Sequence, residues 1–168
     1  MPSPIMILLA SANSQLLDQA RAGLAAEIAI KIVGEARGGR EAVHLVSQRR
    51  PRFLLVDLAL PPAGGLPVLA QVRRQSPKTR VLAIDAQLDE GRVLRATKAG
   101  AHGYMLGEAI PGYLAKAVRV MAAGEVWLSR KLMGTVVAEL QRLVRLPKRV
   151  GRRRGGAAPR SSEKKHSA

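Results

Sequence analysis

Short apolar runs alternate with longer amphipathic segments along roughly the first 120 residues of the chain. Continuous runs of about four to six apolar residues are typical of parallel strands that are covered on both faces. Apolar positions three and four residues apart are typical of amphipathic helices. This pattern predicts strands at residues 5–10, 30–34, 53–56, 81–84 and 103–106. It predicts helices at about residues 16–28, 41–48, 66–75, 90–99 and 111–121.

Five such strand–helix units predict a doubly wound parallel sheet, because parallel strands need crossover connections. In sheets of this kind, functional groups lie on loops at the carboxyl ends of the strands, beside the point where the strand order reverses. Asp57 directly follows the middle predicted strand. It is therefore a candidate functional residue before any family is considered.

Composition limits the setting in which the protein works. Hydrophobic residues make up 47% of the 168 residues but aromatic residues only 2%, so the core must be mostly aliphatic. The absence of cysteine excludes disulfides and thiolate metal ligands, and fits a reducing compartment. The early apolar run at residues 5–10 is too short to cross a bilayer, and no basic residue precedes it. We expect a soluble, cytoplasmic protein with no membrane partner.

Positive charge is concentrated at the carboxyl end of the chain. The formal net charge is +16, and residues 142–168 carry ten Lys or Arg against Glu163 alone. After Pro147 the sequence is rich in Gly, Ser, Pro and Ala and has no apolar periodicity, which predicts a disordered tail. We therefore divide the chain into a globular body at 1–129, an amphipathic helix at 130–146 and a disordered basic tail at 147–168.

The helix and the tail each leave alternatives open. The apolar stripe of the helix could pack on its own body, form a homodimer or dock a partner. The tail could bind nucleic acid through Arg149, Arg152, Arg153 and Arg154, or simply be solvated. Such binding would be electrostatic and blind to sequence, and without aromatic residues it would lack base stacking. The apolar stripe consists of Leu132, Val136, Val137, Leu140, Leu143 and Val144.

Six segments have a consistent order and spacing: VGEARGGREAV (33–43), PRFLLVDLALP (51–61), GGL (64–66), RVLAIDA (80–86), KAGAHGYML (98–106) and AAGEVWLS (122–129). Together they resemble the receiver domain of NarL/FixJ-type response regulators. The resemblance covers about residues 5–129 and implies a flavodoxin-like fold with strand order 2-1-3-4-5. It also implies a role in two-component phosphorelay signalling. Family members usually continue into a helix-turn-helix output domain of about sixty residues, and we expect that domain to be absent because 23 residues follow Arg145.

The resemblance makes Asp57 the residual phospho-acceptor, because the family aspartate that ends the third strand receives a phosphoryl group from a histidine kinase. The family also uses Mg²⁺ held by an acidic pair, a Thr or Ser after the fourth strand and a Lys after the fifth. Those positions hold Ser11 and Ala12, Asp85, and Gly107 in this chain. Since phosphoryl transfer depends on positioning and charge neutralisation, we expect a pseudo-receiver with no metal or other cofactor.

Alternative interpretations are open for Asp57 and for Tyr104. Asp57 could be retained from ancestry alone, or could pair with Asp85 to bind a cation or share a proton. Tyr104 matches the family aromatic that changes rotamer on activation, but could be an ordinary packed tyrosine.

The expected function is a stand-alone signalling module. It would act by contact with a protein partner, such as a histidine kinase or another regulator, and could also form a homodimer. The alternative is a nucleic-acid-associated protein that is anchored by the basic tail. No nucleophile–base pair or metal cluster is visible in the sequence, so we do not expect an enzyme.

Overall fold

Five parallel strands form one sheet in the order β2-β1-β3-β4-β5. The structure is a computed structural model, and it describes residues 3–145. The strands are β1 (Ile5–Ala10), β2 (Ile30–Ala36), β3 (Phe53–Asp57), β4 (Arg80–Asp85) and β5 (Gly103–Leu106). The helices are α1 (Ser14–Leu24), α2 (Gly39–Arg49), α3 (Leu66–Gln75), α4 (Glu90–Ala99), α5 (Ile110–Ala122) and α6 (Arg130–Arg145), with a 3-10 turn at Gly107–Ala109.

This architecture confirms the predicted doubly wound sheet and its strand order. The first helix is shorter than its apolar spacing predicts, because α1 ends at Leu24 and Ile28 is fully exposed. Turn-like hydrogen bonds from the amide of Ala25 to the carbonyl of Ala22, and from Glu27 to Leu24, replace the helical pattern there. The chain then bends into β2. The prediction that Ile28 belongs to the first helix, which was based on its apolar spacing, is therefore wrong.

The middle strand β3 is buried along its whole length because helices cover both faces of the sheet. Leu54 and Val56 belong to the apolar core on one face, which also contains residues of α2, α3 and α4. Phe53 and Leu55 belong to the core on the other face, which contains residues of α1 and α5. Two cores therefore hold β3 in place, and they fix the position of Asp57 at its carboxyl end.

Gly65 lies directly against the loop that follows Asp57. A Cβ atom at Gly65 would lie 2.7 Å from the carbonyl oxygen of Asp57 and 3.0 Å from the Cα of Leu58. Both neighbours are backbone atoms, so they cannot swing aside as a flexible side chain would. Only glycine lets α3 begin this close to Asp57.

We expect Gly65→Ala to lower the free energy of unfolding by about 1–2 kcal/mol, because the added methyl group must displace backbone. Gly112→Ala is the control: nothing lies within 4 Å of a Cβ at Gly112, in the first turn of α5, so no clash opposes the alanine there. Urea denaturation measures both changes. Equal stability of the two variants would contradict the close approach at Gly65.

The last helix, α6, packs on the body through one edge of its apolar stripe. Leu132 and Val136 are buried in the core that contains residues of α4, and Lys98 Nζ lies 3.4 Å from Glu139 Oε1. Met133, Val137, Leu140, Leu143 and Val144 remain exposed. Packing on the body thus accounts for part of the stripe, and dimerisation or partner docking stays a prediction for the rest. Leu146 and the tail at 147–168 lie outside the described residues, and so does the predicted boundary between them.

None of the helices within residues 3–145 is long and apolar enough to span a bilayer.

Candidate functional site

The carboxyl ends of β1, β3 and β4 meet around a cavity of about 520 Å³. Asp57 and Asp85, the last residues of β3 and β4, both line it. Ala12 and Gly107, from the loops after β1 and β5, line it as well. Ser11 is fully buried and lies against Asp57. The structure therefore brings together the residues at all five positions that the sequence singled out for phosphoryl chemistry.

Both carboxylate oxygens of Asp57 are engaged within the protein. Ser11 Oγ donates a hydrogen bond of 2.7 Å to Asp57 Oδ2, and the amide of Ala59 donates one of 2.9 Å to Oδ1. The amide of Asn13 donates to Ser11 Oγ at 3.0 Å, which orients the hydroxyl. Asp57 retains only 9% of its accessible surface. Its carboxylate is thus held by neutral donors in a mostly buried position.

These residues do not fit the Mg²⁺ that receiver domains normally use. Magnesium is a hard cation that is usually held by one or two carboxylates with water. Ser11 directs its hydroxyl proton at the Asp57 oxygen, and Ala12 has no side-chain ligand. Within the described part of the chain, no cluster of three or more His, Asp or Glu side chains could hold a metal. No Lys or Arg lines the cavity either, so a phosphoryl group at Asp57 would find no side-chain cation there.

Asp85 has a separate set of partners. Arg92 donates to Asp85 Oδ1 at 2.9 Å, and the amide of Ala86 donates to the same oxygen at 2.8 Å. The hydroxyl of Tyr104 donates to Asp85 Oδ2 at 2.6 Å. Asp85 is only 3% exposed, and Arg92 supplies the charge that such a buried carboxylate needs. Asp57 and Asp85 therefore face the same cavity without bonding to each other.

Tyr104 is held in a buried position by this contact. Its ring packs in the core, and its side chain is 3% exposed. The hydroxyl also lies 3.1 Å from the carbonyl oxygen of Gln87, but it has one proton, and the carboxylate is the stronger acceptor. Burial, followed by the hydrogen bond to Asp85, raises the pKa of Tyr104 above its usual value. The tyrosine is thus neutral and anchored at ordinary pH.

Sequence reasoning missed the network formed by Arg92, Asp85 and Tyr104. It treated Asp85 as the replacement of the family Thr or Ser, and Tyr104 as the family aromatic or an ordinary packed tyrosine. In the structure, Asp85 is the hydrogen-bond partner of Tyr104, and Arg92 compensates for the added charge. The available signal was the spacing: Arg92 lies in the first turn of α4, seven residues after Asp85.

The five-stranded doubly wound sheet of this order has the flavodoxin-like fold of receiver domains, and Asp57 is buried at the end of its middle strand. The family model of the response regulator receiver domain matches residues 7–119. The chain therefore belongs to the response regulator receiver family, whose members are generally non-enzymatic signalling proteins.

Curated relatives support this assignment and set its scope. The nitrate/nitrite response regulator protein NarL of Escherichia coli K12 is 36% identical over 112 residues, which cover 67% of this chain and 52% of that protein. The transcriptional regulatory protein DegU of Brevibacillus brevis is 31% identical over 121 residues, which cover 72% of this chain and 51% of DegU. The chain thus spans about half the length of the curated relatives it matches.

Solved structures show the same fold. The receiver domain of the putative response regulator NarL from Mycobacterium tuberculosis aligns with a TM-score of 0.70 at 28% identity, covering 74% of this chain and all of that one. A LuxR-family two-component response regulator from Aurantimonas aligns with a TM-score of 0.74 at 24% identity, covering 83% of this chain and 99% of that one.

Proposed function

We propose that this protein is a pseudo-receiver: a receiver domain that signals through protein contact in a fixed conformation, without phosphorylation of Asp57. The observation that carries the proposal is the contact between Tyr104 and Asp85, 2.6 Å long and backed by Arg92. Receiver domains interact with histidine kinases and other proteins and often dimerise. The partner here would be a histidine kinase, another regulator or a second copy of this chain.

The surroundings of Asp57 support the absence of phosphoryl transfer. A phosphoryl group carries negative charge on three equatorial oxygens, and catalysis depends on neutralising that charge. Three carboxylate side chains, those of Asp57, Asp85 and Glu108, line the cavity, and no Lys or Arg does. Ser11 and Ala12 stand where the family has its acidic pair for Mg²⁺. Donation by Ser11 further lowers the nucleophilicity of the Asp57 oxygen that it contacts.

The position of Tyr104 supports a fixed conformation. In the family, the aromatic side chain on the fifth strand changes rotamer when the domain is activated. In this chain, the permanent carboxylate of Asp85 takes the place of the hydroxyl group of the family Thr or Ser. A charge-assisted hydrogen bond between buried partners favours one rotamer strongly, because releasing it would leave a buried carboxylate oxygen without its donor. The surface around β5 would then present one shape to partners at all times.

A chromosomal substitution tests this function directly. We expect an Asp57→Ala strain to keep the wild-type transcript profile, whereas a strain that lacks the gene, or that carries Asp85→Ala, departs from it. Immunoblotting shows whether each variant accumulates to the wild-type level. If Asp57→Ala reproduces the effect of deleting the gene while its protein level is normal, phosphorylation is required and the proposal is wrong.

Magnesium titration gives a second prediction. Millimolar Mg²⁺ should cause no saturable change in Trp127 fluorescence, melting temperature or backbone NMR shifts near Asp57, because Ser11 and Ala12 supply no carboxylate. The double variant Ser11→Asp/Ala12→Asp should regain saturable binding at the same Asp57. Saturable binding by the wild-type protein would mean that Asp85 has become a ligand.

The alternative function, anchoring to nucleic acid through the basic tail, stays a prediction. Arg149, Arg152, Arg153 and Arg154 lie outside the described residues.

A further inference from the structure

Basic and acidic side chains are distributed unequally between the two ends of the sheet. The term amino edge is used here for the end of the sheet at which the five strands begin. Helices α2 to α5 end at the amino edge, and the loop that follows α1 lies there as well. Of the eleven Asp and Glu within residues 3–145, only Glu27, Glu125 and Glu139, which contacts Lys98, lie at the amino edge. Ten Lys or Arg lie at this edge: Lys31, Arg49, Arg50, Arg52, Arg73, Arg74, Lys78, Arg80, Lys98 and Arg119. The opposite end holds most of the acids: Glu35, Glu41, Asp57, Asp85, Asp89, Glu90 and Glu108.

Most of the positive charge at the amino edge is not neutralised by the body. Within residues 3–145, only Lys98 and Arg119 among those ten have a carboxylate within 4.0 Å. Cations in the last turn of a helix favour the helix dipole, which accounts for side chains such as Arg49, Arg73 and Arg74. It does not account for Arg52 and Lys78, which lie in the loops that lead into β3 and β4. The charge therefore exceeds what helix termini require.

The amino edge is also concave. A cavity of about 420 Å³ is lined by Arg50, Arg52 and Lys78, and a second cavity of about 420 Å³ by Arg73 and His102. Pro77 and Thr79 line both cavities, so the two form neighbouring parts of one groove. Burial, followed by the charges of Arg80 and Arg73, lowers the pKa of His102, as expected where positive potential accumulates.

The last helix adds to this surface. Leu132, near the start of α6, shares a cavity with Leu106 and Glu108 at the carboxyl end of β5, whereas Glu139 contacts Lys98 at the end of α4. The helix thus runs toward the amino edge and ends with Arg145. The sequence after Arg145 contains eight further Lys or Arg and a single acid, Glu163.

We propose that the amino edge binds the phosphate backbone of duplex nucleic acid without regard to base sequence. Seven of the ten cations are arginines, whose planar guanidinium suits phosphate oxygens. A groove lined by one sign of charge concentrates a polyanion, and release of counterions drives the binding. A protein partner would need a substantial apolar anchor, and Met6, 39% exposed, is the one large hydrophobic side chain that lines the groove and is exposed. This interface lies on the end of the body opposite Asp57 and does not depend on the state of that residue.

The test uses the full chain and two triple variants of equal charge. Arg50→Gln/Arg74→Gln/Lys78→Gln removes three exposed cations from the amino edge. The matched control Arg40→Gln/Arg95→Gln/Lys131→Gln removes three exposed cations from the first turns of α2 and α6 and the middle of α4. Fluorescence anisotropy with labelled duplexes of about 20 base pairs, in two unrelated sequences, measures affinity at several salt concentrations. Thermal melting verifies that the variants are folded.

We expect the amino-edge variant to lose affinity by at least about tenfold in low salt, and its slope of log affinity against log salt to fall by about 2–3 units. The control should stay within about twofold of the wild type, and the two duplex sequences should bind alike. Equal losses in both triple variants would mean that net charge or the tail is responsible, and would overturn the proposal. So would binding to vesicles that contain phosphatidylserine, or to an acidic polypeptide such as polyglutamate, without binding to duplex.

Discussion

Incubation with acetyl phosphate and Mg²⁺ is expected to leave Asp57 almost entirely unphosphorylated. Each preorganised electrostatic contact at a reacting centre is commonly worth about 10²–10³ in rate, and three such contacts, which the family makes with residues at four positions, have changed here. Ser11 and Ala12 offer no carboxylate to a metal, Asp85 replaces a neutral hydroxyl with a carboxylate that is paired to Arg92, and Gly107 replaces a cation. Intact-protein mass spectrometry detects the mass of one phosphoryl group directly. Stoichiometric labelling that disappears in Asp57→Asn would contradict the pseudo-receiver proposal.

A reconstructed site is the matched control for this result. The changes Ser11→Asp, Ala12→Asp, Asp85→Thr and Gly107→Lys restore the family groups around an unchanged Asp57. A side chain fits at Gly107, where the nearest atoms to a Cβ lie 3.9 Å away. We expect the reconstructed protein to acquire Asp57-dependent label, although the four effects will not add simply. If a folded reconstructed protein binds Mg²⁺ and still stays unlabelled, the loss of activity has another cause than these four positions.

The sheet and the location of Asp57 could be predicted from sequence because both follow from local pattern. β3 is a run of apolar residues bounded by Arg52 and Asp57, and its burial on both faces is what such a run indicates. The end of α1 could not be placed in the same way. Ile28 continues the apolar spacing of α1, but the turn that begins at Ala25 leaves it in solvent.

Other features depend on residues that only the fold brings together. The contact between Asp85 and Tyr104 joins residues 19 positions apart on neighbouring strands, and no spacing rule links them. The amino edge is a stronger case, since its cations are scattered from Lys31 to Arg119 along the chain. They lie together because α/β connections place the carboxyl end of each crossover helix and the start of the following strand at the same end of the sheet. The positive charge of the tail, in contrast, can be recognised from sequence because its Lys and Arg residues lie close together along the chain.

The substitution Asp85→Ala, which removes the buried carboxylate, is expected to lower the free energy of unfolding by about 3 kcal/mol. Hydrogen bonds to charged groups are worth about 1.5–3 kcal/mol each, and this change removes the bonds from the Tyr104 hydroxyl and the Ala86 amide. The ion pair adds less, because Arg92 is about half exposed and can be solvated instead. Glu108→Ala, which removes an exposed acid beside the same cavity, should change stability by less than about 0.5 kcal/mol. Urea denaturation compares the two. An equally small effect of Asp85→Ala would mean that the network does not hold Tyr104.

The dependence of the free energy of unfolding on alkaline pH isolates the contribution of Tyr104. Its pKa is raised in the folded protein, so the folded state resists losing the hydroxyl proton more than the unfolded state does. The resulting stabilisation is fully present below pH 10.0, the ordinary tyrosine pKa, and is lost as the pH rises from there toward the folded-state pKa. Wild-type protein should therefore lose stability above about pH 10, and Tyr104→Phe should lose clearly less over the same range.

In a double-mutant cycle at neutral pH, Asp85→Ala and Tyr104→Phe should show a coupling energy of about 1–2 kcal/mol, because they remove the same hydrogen bond. Additive effects of the two substitutions, together with an equal loss of stability at alkaline pH in wild type and Tyr104→Phe, would show that Tyr104 is not anchored by Asp85 in solution.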